Sequence, residues 1–142
     1  MFAIAVFWIF QVINGLTALG MFLQPQKFHE STFKDPEHVY RELGFSEVAV
    51  EMLHNVLRGQ GAALLAITIT VFYLGAESRA SFLLIALTCG LSLSAHVFTA
   101  RHHLGSEEVM KALGGIQAMY VILILNATVL LGAAVAFFQL AS

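Results

Sequence analysis

Six histidines carry most of the chemical potential of this 142-residue chain: His29, His38, His54, His96, His102 and His103. Two of them belong to spaced polar sets. Glu47, Glu51, His54 and Arg58 follow one another at four, three and four residues, and so do Ser92, His96, Thr99 and His103. On a helix, each set shares one face. Imidazoles near a carboxylate suit a transition metal such as zinc, iron, copper or nickel, which makes Glu51, His54, His96 and His103 the candidate metal ligands. Glu51-Met52-Leu53-His54 also matches the Glu-x-x-His pattern of di-iron helix bundles, in a single copy where such bundles use two. His96 suits axial ligation of haem or a chlorophyll-type pigment, with His54 as the nearest second histidine. A quinone or lipid head between Arg58, His96 and Gln117 is a further reading. Against these stand plainer roles: carboxylates and histidines solvated by headgroups, or a histidine hydrogen-bonded to a neighbouring helix.

Nucleophilic chemistry finds little footing, and no catalytic residue is assigned. The only cysteine, Cys89, lies among apolar residues, where a thiol stays inert. The sequence has no glycine-rich phosphate loop, serine elbow or His-Glu-x-x-His motif.

The elements that must position these groups follow from composition. Hydrophobic residues make up 58% of the chain and charged residues 11%, where a soluble domain carries about 25% charge. Mean hydropathy is +0.81. The charges cluster and leave four long apolar runs, the mark of transmembrane helices. A soluble enzyme and a disulfide scaffold are excluded on this ground. A net charge of -2 argues against nucleic acid as a partner.

The expected fold is all-α: a polytopic membrane protein, a single four-helix bundle with a short amphipathic helix in its first loop. The spans fall at about 2–23, 52–75, 81–100 and 113–140, with a polar loop at 24–45. The first run has no basic stretch before it and no small-residue cleavage site after it, so it reads as a retained helix. Gln24-Pro25 ends it. Asp35-Pro36-Glu37 opens the short loop helix, Val39, Tyr40 and Leu43 share its apolar face, and Gly44 closes it. Ser46 caps the second long helix, with Glu47 in its first turn; the third starts near Ser81 after a turn at Glu77-Ser78-Arg79 and stops at Gly105. Ser106, followed by Glu107 and Glu108, opens the fourth.

Once the spans alternate, Lys27, Lys34, Arg41, Arg58, Arg101 and Lys111 share one side of the membrane and Arg79 stands alone on the other. The positive-inside rule then puts the 24–45 loop in the cytoplasm and both termini outside, in an inner or plasma membrane. All six histidines fall toward the cytoplasmic end. At about 1.5 Å per residue, His96 lies roughly 22 Å along its helix from Ser81, inside a hydrocarbon core about 30 Å thick. Arg58 lies just below the cytoplasmic boundary, within reach of snorkelling or of a partner such as Glu51. Gln11, Asn14 and Gln117 are in-span polar groups suited to interhelical hydrogen bonds, and Gly15, Ala18, Gly59, Ala62, Ala63, Gly114, Gly115 and Ala118 suit close helix packing.

The stretch Asn14-Gly15-Leu16-Thr17-Ala18-Leu19-Gly20-Met21-Phe22-Leu23-Gln24-Pro25, the loop after it, and Leu57-Arg58-Gly59-Gln60-Gly61 opening the next run resemble the DoxX-like group of small four-helix membrane proteins. The resemblance spans all four helices and implies Arg58 and the glycines after it as the positions to watch. The group includes membrane subunits linked to quinone-dependent sulfur oxidation and many proteins of unknown role. The layout is also similar to the membrane-associated eicosanoid and glutathione metabolism family, through Glu51 and Asn55. That likeness would imply a glutathione-binding trimer, although the fourth helix has no arginine.

Two functional expectations result. The first is a small integral-membrane accessory subunit of a larger complex in electron transport, structural or cofactor-holding, whose partners are the lipid bilayer and other membrane subunits or further copies of itself. The alternative is a small membrane oxidoreductase or transferase with a Glu51, His54, Arg58 and His96 site at the cytoplasmic end. A channel or transporter is disfavoured, because four helices enclose little space and no charge lies at mid-membrane.

Overall fold

The computed structural model describes residues 1–32, 44, 46–103 and 116–140, with side chains left out at 29–32, 99, 100, 102, 103 and 116–119. Among the described residues every regular element is a helix. They are α1 (Phe2–Leu23), α2 (Pro25–Thr32), α3 (Glu47–Leu74), α4 (Arg79–His103) and α5 (Ile116–Gln139). α1, α3, α4 and α5 are each long and apolar enough to cross a membrane. The expected helix at 36–43, the Gly105 stop and the start at Ser106 lie outside the described residues.

Helix ends are set by local chemistry. Gln24 leaves the helical conformation and closes α1, but Pro25 does not release the chain: it takes the first position of α2, and Phe28 N–H donates to Gln24 O at 2.9 Å. A proline loses nothing there, because the first turn has no intrahelical acceptor for its missing N–H. Ser46 caps α3 as expected, its Oγ accepting from Ala49 N–H at 3.3 Å. α3 ends at Gly75, whose φ of +82° is the left-handed region that a glycine enters at no cost. α4 begins at Arg79, two residues before the expected start. The fully buried Ser81 lies in its first turn, and its hydroxyl donates to Gly75 O at 2.7 Å, fastening the turn to α4.

Within the spans, Thr17, Thr68, Thr70, Thr88 and Thr128 each donate to a carbonyl four residues back on their own helix, at 2.8 Å. That pattern satisfies a hydroxyl where no water is available.

The helices form two antiparallel pairs, α1 with α3 and α4 with α5. The pairs join through α1 on α5 and α3 on α4. In the first pair Trp8 meets Phe72 edge-on, with ring centres 6.2 Å apart, and further along Gly61 lies against α1. A Cβ built on Gly61 would come within 2.7 Å of Phe22 N and 2.9 Å of Ala18 O, so only glycine permits this approach. In the second pair Arg79 lies over the Phe137 ring at 4.4 Å, and Gly90 faces Leu130.

The apolar core gathers near the Gly75–Ser78 turn, called here the turn end. It comprises Val6, Phe7 and Phe10 of α1, Val71 of α3, Phe82, Ile85 and Cys89 of α4, and Val129, Ala133 and Ala136 of α5. Toward the opposite, loop end, α1 and α3 stay in close contact at Ala18 and Gly61, while the described inner positions of α4 and α5 become more exposed. On α5, exposure rises from 7% at Val129 to 36% at both Leu125 and Ile122, although all three share one face. Leu57 and Leu64 of α3, and His96 of α4, continue the buried stripes of their helices and are only half-buried.

Candidate functional site

His96 sits at the centre of the inner face of α4. Phe82, Ile85 and Cys89 precede it at helical spacing, and all three are buried. The pairing that sets Arg79 on Phe137 and Gly90 on Leu130 brings His96 level with the Ile122–Leu125 turn of α5. Its surroundings are therefore the part-open, apolar loop-end half of the bundle.

The ring is held by its own helix. Nδ1 lies 2.7 Å from Ser92 O, while Ser92 Oγ stands farther off at 3.5 Å. A carbonyl oxygen only accepts, so Nδ1 carries the proton and donates. In the neutral ring Nε2 is then a lone pair: it can accept a hydrogen bond or bind a metal, and it cannot donate.

The polar set on α3 divides. His54 is half-buried, whereas Glu51 and Arg58 are exposed. Arg58 donates to Asn55 Oδ1 at 3.1 Å on its own helix. The described contacts of Arg58 therefore join it to Asn55 and not to Glu51 or His96. The side chains of Gln117 and His103 lie outside those described, as do those of His29, His38 and His102. Among the described residues no three His, Cys, Asp or Glu side chains gather closely enough to hold a metal ion.

Two in-span polar groups behave otherwise than expected. Asn14 donates to Phe10 O at 3.1 Å within α1, so its described bond is not interhelical. Gln11 is 8% exposed, and its Nε2 is buried without a hydrogen-bond partner. Nothing in the spacing of residue types announces such an orphan, since it depends on what the neighbouring helices present. Among the glycines and alanines expected at close contacts, Gly15 faces Thr68 and Ala18 meets Gly61, while Gly59 has open space around it and Ala62 and Ala63 are exposed.

No protein-family model, no curated protein and no solved structure matches this chain.

Proposed function

We propose that the protein is a small integral-membrane subunit of a larger membrane complex handling electrons, in which it plays a structural or cofactor-holding role. One observation carries this reading. Nearly all the described chain is membrane-length helix, and His96, half-buried on α4 and held by Ser92 O, has no gathered set of His, Cys, Asp or Glu around it among the described residues. A lone ligand or anchoring point suits a holding role, whereas a reaction needs several groups in register. The resemblance to the DoxX-like group supports the electron-transfer setting. The alternative of a self-contained oxidoreductase or transferase needs Glu51 and Arg58 beside His96, and both are exposed on α3.

In the proposed orientation the loop end faces the cytoplasm and the Gly75–Ser78 turn faces outward, because six of the seven lysines and arginines fall at the loop end. The test of the subunit reading is gentle extraction of the tagged chain from its native membrane followed by native mass spectrometry. A mass with unrelated partner chains in fixed ratio is the expected result. A lone protomer, or copies of this chain only, contradicts it.

A further inference from the structure

We draw no further inference here: the strongest candidate, the unpartnered Gln11 amide buried in the inner face of α1, is a lone enclosed donor, and nothing among the described residues shows what ligand would meet it.

Discussion

A hydrogen bond that runs back to its own helix fixes what a side chain has left to offer. His96 spends Nδ1 on Ser92 O and keeps Nε2; Asn14 spends one amide hydrogen on Phe10 O. Gln11 finds no acceptor for Nε2, although it is as buried as the core around it. An unsatisfied buried donor costs about 1–3 kcal/mol. Gln11→Leu, of similar volume, is therefore expected to leave the midpoint of thermal unfolding in detergent unchanged or raised. A clear fall would mean that Gln11 does have a partner, such as a buried water. The sequence shows which residues are polar within spans, but the spacing of Glu51, His54 and Arg58 brackets a wide arc of helix surface. Only the rotation of α3, set by Gly61 on α1 and Val71 in the core, decides that His54 lies half-buried and Arg58 lies out.

At the level of elements, the start of α3 is the most legible feature. Ser46 caps α3, and the Gly75–Ser78 turn falls where charged residues interrupt the apolar run, although Arg79, expected in the turn, already belongs to α4. Pro25 signals a stop because proline breaks a helix from within, but its equal fitness for a first turn lets α2 begin directly after α1. The helix contacts were less legible. Small residues are common in spans, and of those expected at interfaces only some meet a partner among the described residues. Gly61 is the decisive one, since its missing side chain admits the α1 backbone. Gly61→Val must push α1 and α3 apart, and overpacking of this kind costs about 1–3 kcal/mol. We expect a matching loss of stability in detergent, together with weaker Trp8–Phe72 contact seen as altered tryptophan fluorescence. Stability and emission like those of the parent chain would show that the two backbones do not approach so closely.

For the molecule as a whole, four apolar helices are legible in the hydropathy. Their pairing and the uneven core are not. The unevenness arises because Phe7, Phe10 and Phe82 fill the turn-end half, whereas Leu57, Leu64 and His96 in the other half are half-buried. The proposed function needs these four helices to cross a bilayer. Its most direct test is side-specific thiol labelling in intact cells, with Glu77→Cys at the turn end and Arg101→Cys at the loop end, both residues being exposed. The native Cys89, 3% exposed, serves as a control that reacts only after denaturation. The account predicts that an impermeant maleimide labels position 77 from outside and reaches position 101 only after the membrane is opened. Labelling of both positions from one side, or recovery of the chain in the soluble fraction, would contradict it.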